Sequence, residues 1–213
     1  MNVLELPQEW VSRVTVVTRF DNDDIHRFFT DGEIATISSF RFPHQKAEWV
    51  AARMAAKWLA CNQGLATHPR SVRVSGGRQG RPALQIERGE RVFLSLSHTD
   101  GIGGAAIDRG SIGIDVQRVR SLPDRSWKFF LQEKEIAALR ALSIDDVAIH
   151  LWAAKEAAWK ALRGENQRGL KNVTLTLSVE DRDGMRFRYQ SGSEGGNVET
   201  RRLDTLVVAL AER

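Results

Sequence analysis

The chain has 213 residues, 42% of them apolar, which allows one large domain or two small ones with ordinary cores. No run of about 18 apolar residues offers a membrane span, and the start Met1-Asn2-Val3-Leu4-Glu5-Leu6-Pro7 lacks a signal-peptide pattern. The single cysteine, Cys61, excludes an internal disulfide and a Cys-rich zinc site, and a formal charge of +4 favours anionic partners.

Taken in chain order, residues 13–18 are β-branched and predict a strand. Residues 32–39 predict a short helix with an acidic first turn. Residues 45–62 predict a longer helix, because Trp49, Ala52, Ala56 and Leu59 recur at helical spacing and Gly64 follows as a stop. Cys61 falls in that apolar pattern and reads as a small buried hydrophobe. Short strands are expected over 71–74, 83–86, 92–97, 103–107 and 111–116, with turns at Gly76-Gly77, Gly80-Arg81-Pro82 and Asp108-Arg109-Gly110. Helices are expected over 126–142 and 144–163, then strands over 173–179, 185–189 and 203–210. Residues 164–169 and 191–197 read as polar, Gly-rich loops.

Each half thus reads as helix followed by hairpin-like strands. The expected fold is α+β: two similar α/β subdomains, 1–108 and 109–213, each a small, mainly antiparallel sheet packed with helices. A ligand site is expected at their interface, since pockets commonly form where domains meet. The chain reads as soluble and cytoplasmic. Of its 31 basic residues, 24 are arginines, whose planar fork suits phosphate oxygens. They are scattered rather than gathered into a nucleic-acid tail.

Two segments carry most of the chemistry. In Gly113-Ile114-Asp115, strand parity puts Ile112, Ile114 and Val116 on one face and Gly113, Asp115 and Gln117 on the other. A Gly, Asp, Gln face in an apolar sheet leaves room for a ligand, though an exposed polar face would look the same. In Trp152-Ala-Ala-Lys155-Glu156-Ala-Ala-Trp159-Lys160, Glu156 lies four residues before Lys160, on or beside one helix face with both tryptophans. A Glu156–Lys160 pair would be worth only about 0.3–0.5 kcal/mol, and a solvated salt-bridge face rarely needs two indoles. Ser97 and His98 end a strand, where a hydroxyl and an imidazole can bind phosphate oxygens. Together Asp115 and Glu156 suit Mg²⁺, which takes a few protein oxygens and fills its shell with water or phosphate. No Gly-x-x-x-x-Gly-Lys-Ser/Thr loop is present, which disfavours a P-loop NTPase.

The order Gly80-Arg81-Pro82, Ser97-His98, Gly113-Ile114-Asp115 and Trp152 to Lys160 resembles the 4′-phosphopantetheinyl transferase superfamily, over about residues 40–163. The length is similar to its long, monomeric, Sfp-like branch. The resemblance implies transfer of the 4′-phosphopantetheine arm of coenzyme A to a serine of an apo acyl or peptidyl carrier protein, with release of adenosine 3′,5′-bisphosphate. It implies Mg²⁺, or Mn²⁺ in its place, on Asp115 and Glu156, with Lys160 at the pyrophosphate and Glu156 as base for the serine. Arg53, Arg81, Ser97 and His98 would contact coenzyme A, and Lys57 resembles a helix lysine of the same half. Many long-branch members have an acidic residue two after the aspartate. Here it is Gln117, which implies a metal-bound water held by that amide. An acidic residue also often follows the Phe-Phe pair, here Phe129-Phe130, and Glu133 and Glu135 both fit. The expected partners are an acidic carrier protein and coenzyme A, with no membrane and no nucleic acid. The rival readings are a basic nucleic-acid-binding protein and an inactive relative that keeps coenzyme A as a ligand.

Overall fold

The structure, a computed structural model, describes residues 1–76, 81–86, 89–141, 147–162, 169–181 and 184–213. It is mixed α+β and divides into two compact units, Met1–Gly110 and Ser111–Arg213.

The first unit runs β1 (Asn2–Val3), β2 (Val14–Arg19), α1 (Asn22–Phe28), α2 (Asp31–Ser38), α3 (Pro43–Asn62), β3 (Arg73–Gly76), β4 (Pro82–Gln85), β5 (Phe93–Thr99) and β6 (Ile102–Asp108). Four strands make an antiparallel sheet in the order β1-β2-β6-β5, and β3 pairs with β4 separately. The helix α3 forms where expected. Pro43 starts it without losing a helical hydrogen bond. Gly64, at φ +69°, ends it in a Schellman turn, with the Leu65 amide donating to the Ala60 carbonyl at 2.9 Å. Its alanines let it lie close to β6: a Cβ on Gly103 would sit 2.0 Å from the Ala52 nitrogen.

The second unit runs β7 (Ile112–Arg118), α4 (Asp124–Trp127), α5 (Glu133–Ala141), α6 (Val147–Ala161), β8 (Thr174–Asp181), β9 (Gly184–Ser191), β10 (Glu194–Leu203) and β11 (Leu206–Glu212). The five strands form one antiparallel sheet, β7-β11-β10-β9-β8. The helix α6 covers it, burying Ile149, Ala153, Ala154, Ala157 and Ala158 with Phe187, Tyr189, Val198, Val207 and Ala209.

Several expectations need correcting. The helix expected over 126–142 is two helices. The Trp127 indole donates to the Leu122 carbonyl at 3.0 Å, and the chain restarts at α5, where Glu135 Oε2 accepts the Gln132 amide at 2.7 Å. Phe130 and Leu131 are buried in the break. The loop expected over 191–197 is largely the start of β10. The strand expected over 203–210 is cut by a turn at Asp204, φ +56°, so Leu203 ends one strand and Leu206 begins the next. The strand expected over 71–74 starts at Arg73, because Pro69–Ser71 forms a 3₁₀ turn. The helix α1 adds an element to those expected. Gly77 and Gly80 of the expected turns, residues 142 and 144–146 and residue 163 of the expected helices, and residues 164–168 lie outside the described residues.

Candidate functional site

The strand β7 presents Gly113 and Asp115 to the helix α6. Gly113 is required by space: a Cβ there would lie 1.9 Å from the Ala157 carbonyl oxygen and 2.7 Å from the Ala161 nitrogen. With Ala157 and Ala161 opposite, helix and strand approach at backbone distance, which brings the α6 side chains Glu156 and Lys160 down to Asp115.

Asp115 is 2% exposed. Lys160 Nζ donates to Asp115 Oδ1 at 2.8 Å and to the Ile114 carbonyl at 2.9 Å. Gln117 Nε2 donates to Asp115 Oδ2 at 2.8 Å. The Glu156–Lys160 pair that helical spacing alone would allow is therefore replaced by Asp115–Lys160 across elements. The reason is burial: an ion withdrawn from water needs a counter-charge far more than one that water still reaches. Glu156, half-buried, makes no hydrogen bond or ion pair among the described residues. Burial pushes its carboxyl above the usual range, the Asp115 charge pushes the same way, and Lys160 opposes both.

This donor set fits a divalent cation. The Asp115 charge raises the proton affinity of Glu156, which makes no hydrogen bond or ion pair among the described residues, and a dication relieves that situation. Among the described residues no group of three or more His, Cys, Asp and Glu is gathered for a metal. A cation here would take few protein oxygens and complete its shell from water and a ligand's phosphates, as Mg²⁺ does.

The tryptophans are explained by packing. Trp152 meets the buried Phe130 edge-on at 4.9 Å, and Trp159 lies against the same core. Phe129 is 69% exposed, with the Lys128 ammonium 5.5 Å from its ring centre.

The remaining candidates lie in the first unit. Arg53, on α3, stacks its guanidinium 3.9 Å from the Trp49 ring. Its Nε is buried without a hydrogen-bond partner, and burial pulls its pKa down to about 10. Arg81 is half-buried just before β4. Ser97 and His98 are consecutive in β5 and so leave it on opposite faces. Ser97 is buried, and His98 is exposed, with Nδ1 3.3 Å from Glu48 Oε2 on α3. Lys57 is fully buried, and its Nζ donates to Glu33 Oε2 at 3.0 Å, the Val72 carbonyl at 2.6 Å and the Pro69 carbonyl at 3.3 Å. Those bonds use all three ammonium protons and make Lys57 a structural residue.

The second unit holds a matching arrangement. Lys155 is fully buried, and its Nζ donates to Glu135 Oε2 at 2.7 Å. Glu135 is thereby engaged inside the unit, whereas Glu133 is exposed. In both units the glutamate also holds a backbone amide at the start of the preceding helix, Thr30 at 2.9 Å and Gln132 at 2.7 Å. The signal was present in the repeated Ala-Ala-Lys of residues 55–57 and 153–155.

A crystal structure of Thermotoga maritima holo-[acyl-carrier-protein] synthase aligns at 22% identity and a TM-score of 0.34, covering 47% of this chain and 61% of that one. No curated protein sequence matches. The model of the 4′-phosphopantetheinyl transferase superfamily matches residues 111–211, the unit that contains Asp115, Gln117, Glu156 and Lys160.

Proposed function

We propose that the chain is a 4′-phosphopantetheinyl transferase of the long, Sfp-like branch, acting as a monomer on coenzyme A and an acidic apo carrier protein. The observation that carries the reading is the half-buried Glu156, without a hydrogen bond or ion pair among the described residues, beside Asp115 and Lys160 within the segment that the superfamily model matches. In the reaction a carrier serine Oγ forms a bond to the phosphorus that bears the pantetheine arm. The bond from that phosphorus to the oxygen of the adenosine 5′-phosphate breaks, and adenosine 3′,5′-bisphosphate leaves with the electron pair.

The chain's own residues divide this work. Glu156, whose proton affinity is raised, accepts the serine proton directly or through water. Lys160 places an ammonium against the negative charge that gathers on the leaving diphosphate oxygen. Asp115 and Glu156 would hold Mg²⁺ or Mn²⁺, with Gln117 steadying Asp115 and a bound water. The cation, when present, supplies positive charge to the diphosphate oxygens. Arg53, Arg81, Ser97 and His98 would bind the adenosine bisphosphate portion.

The test is the mass gain of an apo carrier protein incubated with coenzyme A, Mg²⁺ and the enzyme. The wild type adds one phosphopantetheine arm. Asp115→Ala and Glu156→Ala remain folded, and their turnover falls by a factor of about 10² or more. Undiminished turnover in either variant would refute the reading, and a panel of carriers compared by rate would identify the favoured partner.

A further inference from the structure

Lys160 has a choice of two carboxylates, Glu156 one turn back on its own helix and Asp115 on the facing strand. It takes Asp115, with Nζ 2.8 Å from Oδ1 and 2.9 Å from the Ile114 carbonyl. The Asp115 side chain is only 3% exposed, and its other oxygen, Oδ2, is held by Gln117. Lys160 itself is 22% exposed on a flexible four-carbon stem, so its head can withdraw toward solvent without disturbing the core.

We propose that Lys160 is the resident cation of this carboxylate pair. Its ammonium occupies the charge position that a divalent ion needs, and it competes with such an ion for Asp115 Oδ1. The released ammonium is then free to meet an anionic ligand, which on the proposed transferase reading is the diphosphate of coenzyme A. Cation and diphosphate therefore bind cooperatively: each makes the movement of Lys160 easier for the other. Gln117 does not move in this exchange, because it holds the opposite oxygen of Asp115. An acidic side chain in its place would add charge for the cation but lose that grip.

Mn²⁺ titration of the protein alone, without coenzyme A, tests the exchange by calorimetry or electron paramagnetic resonance. Lys160→Met removes the competing charge while keeping the stem, and it binds Mn²⁺ at least about tenfold more tightly than the wild type. Lys160→Arg keeps the charge and stays near the wild type. Lys160→Gln serves as the neutral variant if the Met variant does not fold. Adding Asp115→Asn to the neutral variant abolishes the gain. Equal or weaker Mn²⁺ binding by the neutral variant, an equal gain in the Arg variant, or a gain that survives Asp115→Asn would each overturn the proposal. Carrier modification by the wild type is read separately. Tightened Mn²⁺ binding without any transfer by the wild type keeps the cation exchange and removes the transferase reading, and the opposite pattern does the reverse.

Discussion

Glu156 stands in the folded protein at an energetic disadvantage, because burial and the charge of Asp115 both favour its protonated form. Its native pKa lies above the ordinary value of 4.5, at which the unfolded chain titrates. Between the two values the native state keeps a proton that the unfolded chain has lost, so stability falls as pH rises through that window, and the loss is complete above the native pKa. Glu156→Gln therefore melts at a higher temperature than the wild type at neutral pH, with the difference shrinking as pH falls toward 4.5. Scanning calorimetry across pH checks this, and coincident melts at every pH would count against it. On the proposed transferase reading the variant also loses activity, an exchange of stability for function. Gly113 makes a second prediction. Its Cβ would overlap the Ala157 carbonyl, so Gly113→Ala must push α6 off β7. A loss of about 3 kcal/mol is expected in urea denaturation, whereas Gly110→Ala, with nothing within 4 Å, is close to neutral.

At the level of elements, the two long helices α3 and α6 carry the same device, a buried lysine pinned to a glutamate at the start of the helix before. Such pairs do not stabilise strongly as pairs, but half of one is costly. Lys57→Met leaves Glu33 without its ammonium, and Lys155→Met does the same to Glu135; each should cost about 3–5 kcal/mol in chemical denaturation. The double variants Lys57→Met/Glu33→Gln and Lys155→Met/Glu135→Gln should recover most of it, since glutamine still accepts the Thr30 or Gln132 amide. Equal losses in single and double variants would contradict the account. The elements legible in the sequence were those with a strong period and a clear stop, above all α3. Those missed had ambiguous local signals. The start of β10, residues 194–197, lies in the Gly-rich stretch expected as a loop, yet a Cβ at Gly196 would lie 2.0 Å from the Glu212 carbonyl oxygen, so the glycine marks close backbone approach rather than a turn. The helix α1 is only one and a half to two turns long and starts at a capping box between Asp21 and Asp24, a signal that needs no apolar periodicity. The helix expected over 126–142 kept a helical pattern across Phe130 and Leu131, but both side chains are needed in the core at the break.

For the whole molecule, the charge of +4 and the excess of arginine give a long-range preference for anions. On the proposed reading, with an acidic carrier protein as partner, the KM for the carrier should rise with ionic strength while kcat changes little, because screening weakens encounter more than chemistry. A KM independent of salt between about 50 and 500 mM would rule out charge steering. No helix among the described residues is long and apolar enough to cross a membrane. The antiparallel sheets packed with helices followed from alternating apolar strands and two long helical periods, and strand parity and helical spacing set Asp115 on one face of β7 and Glu156 and Lys160 one turn apart on α6. These the sequence by itself determined, because periodicity and residue type are local properties. The tertiary structure decided how the charges pair. Lys160 leaves its helical neighbour Glu156 for Asp115, Gln117 grips the second oxygen of that same carboxylate, and Lys57 and Lys155 are drawn inward to Glu33 and Glu135. An i, i+4 pair contributes only tenths of a kcal/mol, whereas leaving a buried carboxylate or ammonium without a counter-charge costs several. Burial, which only packing sets, therefore overrules spacing along the chain.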